Sequence, residues 1–319
     1  MALKDSAMRN LTFLFVILTV SLFITIKAEC PPEQLISPCI CTDMPFTLVE
    51  CANMTDMETL VTVFNKSADR IFQSFALHDS IVLYLPAAAI SAKKFEQILL
   101  VNVRMSGMFD RQPDPSNNVI MLMVMNATFL RGIGWENFRN LKKLQTFSCT
   151  NTEIKSLGKS FVDNVGSSLR RFHVLDSRIR KMQYNAFSHM TELYDIQIQN
   201  ADVKSLQRSL FASRSKLETM DFIDNQIESL PDDMFSNMPD IKYINLSGNK
   251  ITAITEAVFG SIYNNLQELR MEENPIICDC SMRWYLSRYR GTLKGSCGGP
   301  QDRKGRPFTD LQPRDFSYC

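Results

Sequence analysis

Features that mark several common functional classes are missing from this 319-residue sequence. Lysine and arginine together number 35, against 34 aspartate and glutamate residues, so the chain has no charge excess to attract nucleic acid or an anionic membrane. After residue 28, no apolar run approaches the roughly 20 residues that a membrane-spanning helix needs. We therefore expect no nucleic-acid partner and no membrane span in the mature chain.

The sequence also lacks the signatures of catalysis. It has only 3 histidines, and no nucleophile elbow, metal-ligand spacing or phosphate-binding loop accompanies them. We interpret His78, His173 and His189 as surface residues. The sequence therefore predicts a chain that is not an enzyme and has no cofactor and no metal site.

The N-terminus has the pattern of a secretory signal. Lys4 and Arg9 precede an apolar run at 11–26, and the small residue Ala28 follows that run. The run is short for a membrane span and contains serine and threonine. This pattern predicts a signal peptide at 1–28 and secretion into an oxidising compartment, with a retained signal anchor as the alternative.

A spacing of apolar residues recurs about every 25 residues, which indicates a repeat architecture. Upstream copies are weaker, and in one of them Met123 and Met125 are interpreted as inward core filler. About eight or nine turns of roughly 22 to 26 residues follow from this count. The clearest copies begin at Leu144, Leu169, Leu193, Leu217, Ile241 and Leu266.

The repeat predicts a solenoid. In each copy a central apolar pair, such as Met220 and Phe222, alternates with polar residues as a short strand does. The segment that holds a later phenylalanine, such as Phe235, returns along the opposite side. Because one turn cannot bury its own apolar face, neighbouring turns must supply the core. We expect an α/β solenoid with a curved parallel sheet on its concave side.

This pattern resembles the extracellular leucine-rich repeat family, whose repeat reads L-x-x-L-x-L-x-x-N-x-L. Asn225, Asn249 and Asn274 match the asparagine position. A serine or threonine hydroxyl offers fewer hydrogen bonds than an amide, so we expect the N-terminal half to be less regular. In the other turns, the residues predicted at the asparagine position are Ser80, Ser106, Thr128, Thr152, Ser177 and Ala201.

Eight of the 9 cysteines flank the repeats in two groups of four. An open solenoid has two exposed apolar ends, and short segments that cover them need disulfides for stability. We expect an N-terminal cap at 29–70, repeats at 71–275 and a C-terminal cap at 276–319. Each group allows three pairings, and two zinc sites are the alternative. The ninth cysteine, Cys149, falls at an inward position of its repeat and is predicted to be a buried thiol.

The segment 274–284 resembles the C-terminal cap of the leucine-rich repeat family. The resemblance implies pairing of Cys278 with Cys297, Cys280 with Cys319, Cys30 with Cys41 and Cys39 with Cys51. The stretches 30–41 and 310–319 are also similar to arthropod secreted proteins related to the non-catalytic subunit of oplophorus-luciferin 2-monooxygenase. That similarity implies a non-enzymatic companion to a catalytic partner subunit.

The outward strand positions of the concave sheet are the expected binding surface. Outward residues of successive strands are predicted to align in columns, and one column includes Asn102 and Val124 in the earlier turns. The later turns present polar and mostly acidic groups, which suit an extracellular protein ligand or a glycan. The sequence does not indicate an oligomeric state. The candidate binding residues are Arg171, His173, Asp195, Gln197, Asp221, Asp224, Tyr243, Asn245, Arg270 and Glu272.

Four sequons predict a glycoprotein. The acceptor residues are Asn53, Asn65, Asn126 and Asn245. Asn126 and Asn245 fall on outward strand positions in this interpretation. A glycan at either residue would obstruct the proposed binding face.

Overall fold

The computed structural model describes residues 29–43, 46–288 and 292–319. The expected signal peptide at 1–28 lies outside the described residues. Within those ranges, the search for a helix of sufficient length and apolarity to cross a membrane finds none.

In the described part of the chain, thirteen strands form one sheet. β1 pairs with β2 in antiparallel fashion, and every later pair is parallel. The strands follow one another in chain order across the sheet, except that β6 pairs with the end of β4. Their bounds are β1 Ile40–Thr42, β2 Leu48–Ala52, β3 Ser74–Ile81, β4 Gln97–Met105, β5 Met121–Met125, β6 Thr128–Phe129, β7 Thr146–Thr150, β8 Arg171–Leu175, β9 Asp195–Gln199, β10 Thr219–Asp221, β11 Tyr243–Asn245, β12 Glu268–Arg270 and β13 Leu293–Lys294.

The inward face of the sheet forms one continuous core. Alternate residues of each strand point inward, as the period of a strand requires. In β9, for example, Ile196 and Ile198 are fully buried while their neighbours are partly exposed. Parallel register aligns Ile196 with Met220 and then Ile244 in the next two turns. The expected solenoid is therefore confirmed.

Short helices and loops form the convex side. The phenylalanine expected there is buried in successive turns: the rings of Phe161 and Phe187 lie 5.7 Å apart, and those of Phe187 and Phe211 lie 6.1 Å apart. The α-helices are α1 Glu33–Ile36, α2 Met57–Lys66, α3 Ala87–Lys93, α4 Lys159–Asn164 and α5 Glu256–Phe259. The 3₁₀ helices are Trp135–Phe138, Arg208–Leu210, Tyr263–Asn265, Cys280–Ser287, Phe308–Asp310 and Pro313–Phe316.

The asparagine positions join adjacent turns. Asn249 accepts a hydrogen bond from the Ile227 N–H at 3.0 Å and donates to the carbonyl oxygens of Phe222 and Leu246 at 2.8 and 2.9 Å. Serine performs a reduced version of this role. Ser177 accepts from the Thr152 N–H at 3.0 Å through its hydroxyl oxygen. The turn that carries Ser177 is therefore still linked to the turn before it.

In two upstream turns, the strand register predicted from the sequence is wrong by one or more residues, so the predicted inward and outward positions are wrong. Leu122 and Val124 are buried in β5, whereas Met123 and Met125 face outward. Every residue at 119–125 is apolar, so the alternation that would show which face is buried is hidden.

The same shift corrects the outward column and the asparagine position. Leu99 and Met123 stand in the column, in place of Asn102 and Val124. Counted from the buried strand pairs, the asparagine position falls on Val103 and Ala127, whereas Ser106 and the exposed Thr128 lie beyond it. The errors are confined to these upstream turns.

Disulfides close both ends of the array. The pairs are Cys30–Cys41, Cys39–Cys51, Cys278–Cys297 and Cys280–Cys319, as the family resemblance implies. In the N-terminal cap, Cys30 and Cys41 lie close to Asp43 in a geometry that could hold a metal, but their sulfurs are joined to each other. Asp43 instead accepts a hydrogen bond from the Cys30 N–H at 2.7 Å.

Cys149 is free and fully buried. Burial raises the pKa of its thiol to about 12. Because the thiolate is the reactive form, this cysteine behaves as a small apolar core residue at neutral pH.

Candidate binding face

Two rows of side chains run along the outer face of the later strands. The strand register places His173 beside Gln197 and then Asp221. The neighbouring row carries Asp195 and Tyr243. We call this surface the C-terminal concave face and define it by Arg171, His173, Asp195, Gln197, Thr219, Asp221, Tyr243, Asn245, Glu268, Arg270 and Glu272.

His173 and Asp195 form a contact between adjacent strands. The His173 Nε2 atom lies 2.9 Å from Asp195 Oδ2. Gln197 donates its side-chain amide to the other oxygen of Asp195 at 3.2 Å. The two side chains are only 21% and 16% exposed. The sequence placed both residues on this face, but it did not indicate that they are partners.

Asp221 lies at the centre of the face. Its carboxylate accepts hydrogen bonds from Gln199 Nε2 at 2.9 Å and from the Ile223 N–H at 3.1 Å. Among the described residues, no lysine or arginine lies within ion-pair distance of it. Burial raises the pKa of Asp221 above its ordinary value, and the nearby Asp195 adds to this effect, while the two hydrogen bonds and the charge of Arg270 oppose it.

Tyr243 is the exposed aromatic side chain of the face, at 42% exposure. Its hydroxyl donates a hydrogen bond to Gln267. It borders a shallow depression of about 150 Å³ that is also lined by Asp221, Asn245 and Arg270. An aromatic ring beside polar groups of both signs is the composition of a protein-contact surface.

Arg270 lies between two glutamates. Its Nε atom is 3.4 Å from Glu272 and 3.7 Å from Glu268. Glu272 also accepts a hydrogen bond from the Ser247 hydroxyl at 2.9 Å. The guanidinium is half exposed, so these contacts hold it in position while leaving donors available to a ligand. At the other end of the face, Arg171 packs over the ring of Tyr194 at 5.9 Å.

Asp224 stands beside the sheet. It belongs to a row of residues with left-handed backbone, one in each turn, where its φ is 53°. Asparagine and aspartate tolerate this conformation better than other non-glycine residues. Gly248 occupies the next turn of the row, and a Cβ there would collide with Asp224 Oδ1. The row consists of Asn53, Asp79, Asn102, Asn126, Asn151, Asp176, Asn200, Asp224, Gly248 and Glu273.

Side-chain amides connect part of this row into a ladder. Asn102 donates to Asp79 at 2.9 Å, Asn126 donates to Asn102 at 3.0 Å, and Asn151 donates to Asn126 at 2.7 Å. Sequence reasoning missed the ladder. The recurrence of asparagine or aspartate at one repeat position was the signal that could have revealed it.

The sequons occupy different surroundings. Asn53 and Asn65 are exposed near the N-terminal cap. Asn126 is a member of the amide ladder. Asn245 lies on the C-terminal concave face, where its side-chain oxygen accepts the Ser247 N–H at 3.2 Å. A glycan at Asn245 would cover the proposed binding surface.

The two remaining histidines do not join the site. His78 lies 3.0 Å from Glu50 and 2.9 Å from Asp79 on the N-terminal strands. His189 is half-buried on the convex side, with Nε2 2.7 Å from the Val165 carbonyl oxygen. It is partly exposed, as His78 and His173 are, so its interpretation as a surface residue stands.

A leucine rich repeat family profile matches residues 191–251 and 215–276. No curated protein sequence matches the chain. Among solved structures, the chain is similar to one in a crystal structure of a TLR13–ssRNA13 complex, with a TM-score of 0.62 and 15% identity. That match covers 78% of this chain but only 39% of the other.

A second similar structure is an octameric complex of latrophilin 3, Unc5D and FLRT2, whose LRR component is FLRT2. Its TM-score is 0.57 at 17% identity, and the match covers 80% of this chain and 85% of the other. At these identities the comparisons show a shared fold.

Proposed function

We propose that this leucine-rich repeat protein is secreted, has no catalytic activity of its own, and binds an extracellular protein through its C-terminal concave face. The two-sided architecture supports this proposal. The convex side is occupied by helices and buried rings, while the strands present an ordered array of polar side chains outward. A repeat scaffold gains an extended concave surface of this kind from the small rotation between turns.

The position of Asp221 is the observation that carries the proposal. Its carboxylate is partly buried, has a raised pKa and lies near the acidic Asp195. Partial burial disfavours the charged form, and the two hydrogen bonds and Arg270 offset this cost only in part, because the pKa remains raised. Perturbed groups of this type are concentrated at functional sites. A lysine or arginine of a partner protein would supply the direct ion pair that Asp221 lacks among the described residues.

The arrangement around Asp221 supports a protein ligand. Tyr243 provides an exposed ring and Arg270 provides a positioned guanidinium, and these two residue types are enriched among the energetically dominant residues of protein interfaces. The related fold of FLRT2 occurs in a complex with two other proteins. The TLR13 structure contains ssRNA, but the acidic groups of this face disfavour a polyanion there.

Secretion is supported by chemistry at both ends of the chain. Four disulfides are stable in an oxidising compartment and unusual in a reducing one. The pattern at 1–28 is that of a signal peptide. We propose glycosylation at Asn53 and Asn65, because both acceptors are exposed away from the binding face.

A catalytic subunit is one partner of the proposed kind. The ground for this narrower proposal is the resemblance of 30–41 and 310–319 to relatives of a luciferin monooxygenase non-catalytic subunit, which the comparison with curated sequences does not support. Purification of the secreted chain from its source under native conditions would test this proposal. We expect an enzyme to co-purify in a stoichiometric amount and to lose activity when it is separated from this chain. Recovery of the chain without an enzyme would reject this narrower role.

A screen against purified extracellular domains tests the binding proposal. A ligand of the concave face should bind the wild type, lose at least tenfold in affinity with Tyr243→Ala combined with Arg270→Ala, and keep its affinity with Tyr184→Ala combined with Arg139→Ala. Tyr184 and Arg139 are exposed outside the sheet and supply matched controls. Ligands that respond equally to both pairs would reject this face.

A further inference from the structure

A second surface of the molecule carries an excess of positive charge. It lies along the edge where the chain leaves the strands of the middle turns, and we call it the basic edge. Its exposed cations outnumber the two acids among them, Glu153 and Asp202. The basic edge consists of Arg131, Lys155, Arg178, Arg180, Lys181 and Lys204.

The repeat places three of these cations in line. Ile154 and Ile179 are bridged in parallel register, so Lys155 and Arg180 occupy the same position in adjacent turns. Lys204 stands at the equivalent position of the following turn, 24 residues after Arg180 as in the register of β8 and β9, and lines the same groove as Arg180. At roughly 4.8 Å per turn, the three charges span about 10 Å along the solenoid.

Contacts within the edge neutralise only part of its charge. Arg178 pairs with Asp202 at 2.9 Å, and Arg180 pairs with Glu153. Lys204 has no ion-pair partner among the described residues. Since the whole chain has a formal net charge of only +1, the positive charge is segregated on this edge. The segregation creates a local field that the overall composition conceals.

The edge also contains a groove of about 490 Å³. Its walls are Arg178, Ile179, Arg180, Asp202, Lys204 and Gln226. Ile179 is buried, so the accessible wall is polar. Guanidinium and ammonium groups can bind oxyanions, while Asp202 and Gln226 can hydrogen-bond to hydroxyl groups.

The composition of the groove distinguishes among polyanions. No aromatic side chain lines it for base stacking, which single-stranded nucleic acids use. No exposed apolar side chain lines it for insertion into a lipid surface. A linear sulfated polysaccharide presents repeated oxyanions together with hydroxyl groups, and it is available in the extracellular compartment of the proposed function.

We propose that the basic edge is a binding site for a linear sulfated polysaccharide. The chain of the sugar runs across the turns, with successive sulfates on Lys155, Arg180 and Lys204 and with hydroxyl contacts in the groove. This site is separate from the C-terminal concave face. It would allow the protein to be retained on a polysaccharide matrix while that face binds its protein ligand.

Heparin is the probe for the experiment. The disulfide-bonded full chain is immobilised, and heparin binding is measured by surface plasmon resonance in 0.15 M salt, a condition that weakens exposed charge contacts. The variant Lys155→Ala/Arg180→Ala/Lys204→Ala should lose at least tenfold in affinity. The variant Lys142→Ala/Arg214→Ala/Lys304→Ala, which removes three exposed cations elsewhere, should change less than twofold.

Further probes separate this site from general charge attraction and from the concave face. Desulfated heparin should not bind, and Tyr243→Ala should bind heparin as the wild type does. Absence of wild-type binding, equal loss in the two triple variants, or equal affinity for a DNA duplex or for vesicles containing phosphatidylserine would overturn the proposal. Circular dichroism of each triple variant should match that of the wild type, which would exclude unfolding as the cause of lost binding.

Discussion

Gln199 donates its side-chain amide to Asp221 across adjacent turns of the sheet, with 2.9 Å between Nε2 and Oδ2. A neutral donor therefore occupies the place at which a cation would balance the carboxylate. The Ile223 N–H satisfies the other oxygen. Asp221 is thus fixed in orientation but has no direct ion pair among the described residues, and this relationship has a measurable effect on stability.

Asp221→Asn should stabilise the isolated protein by about 0.5 to 1 kcal/mol at pH 7, in the range for relieving an unfavourable charge. The raised pKa means that the folded state binds the proton more tightly than the unfolded state does. The stability contributed by protonated Asp221 is present at low pH and is lost as pH rises through the folded pKa. Urea unfolding of both proteins from pH 3 to 7 measures the effect, with Asp232→Asn as an exposed control.

The gain should shrink toward low pH, where the wild-type carboxyl is protonated. A stability difference that stays constant with pH, or a less stable variant at pH 7, would contradict this account of Asp221. If the ligand also binds Asp221→Asn more weakly, Asp221 lowers the stability of the isolated protein but raises its affinity for the ligand.

Asn249→Ala should lower the free energy of unfolding by about 2 to 4 kcal/mol, since it leaves several buried backbone groups without partners. Asn249→Ser should cost less, because the hydroxyl can restore the contact that Ser177 makes in its own turn. Lys250→Ala, one residue away and exposed, serves as the control. Equal losses for alanine and serine in chemical denaturation would show that the hydroxyl link between turns is unimportant.

Lys93 gives stability an alkaline pH dependence. It is buried, donates hydrogen bonds to the carbonyl oxygens of Ser67 and Arg70, and lies over the ring of Phe72. Burial lowers its pKa to about 8 from 10.5. Between these values the unfolded chain binds more protons than the folded protein, so the contribution of Lys93 to stability rises with pH.

Wild-type stability should therefore increase by about 1 kcal/mol relative to Lys93→Met between pH 7 and 9. Guanidinium unfolding of the disulfide-bonded proteins at each pH measures this difference. Lys142→Met, at an exposed position, should give a profile parallel to the wild type. A parallel profile for Lys93→Met as well would mean that the buried amine does not titrate in this range.

The disulfides should open in an order set by burial. Cys280 and Cys319 are both exposed, whereas Cys278 and Cys297 are buried in the same cap. Limited reduction followed by alkylation and mass spectrometry should label the exposed pair first, because thiol exchange requires access to a sulfur. Cys149 should be labelled only after unfolding. Earlier opening of the buried pair would contradict the cap structure.

The fold was predictable from sequence where polar and apolar residues alternate. Met220 and Phe222 are buried as predicted, since polar neighbours mark the outward face. The apolar run at 119–125 gives no such contrast, and there the assignment of Met123 and Met125 failed. Alternation identifies a strand's inward face only when the two faces differ in polarity.

The candidate site was predictable as a surface, and less so as a set of contacts. The repeat period placed His173 and Asp195 in adjacent turns, but their 2.9 Å contact depends on side-chain rotamers that spacing does not determine. The amide ladder was missed for a different reason. Its asparagines and aspartates look like ordinary loop residues until the turns are stacked.

Carboxyl footprinting of the complex tests the central claim most directly. The protein is labelled with carbodiimide and an amine, alone and with a bound extracellular domain from the screen, and modification is quantified by mass spectrometry. The account predicts that labelling of Asp221, Glu268 and Glu272 falls at least threefold in the complex, while labelling of the exposed Asp232 is unchanged. Protection of Asp232 without protection of Asp221 and its neighbours would show that the ligand binds outside the C-terminal concave face.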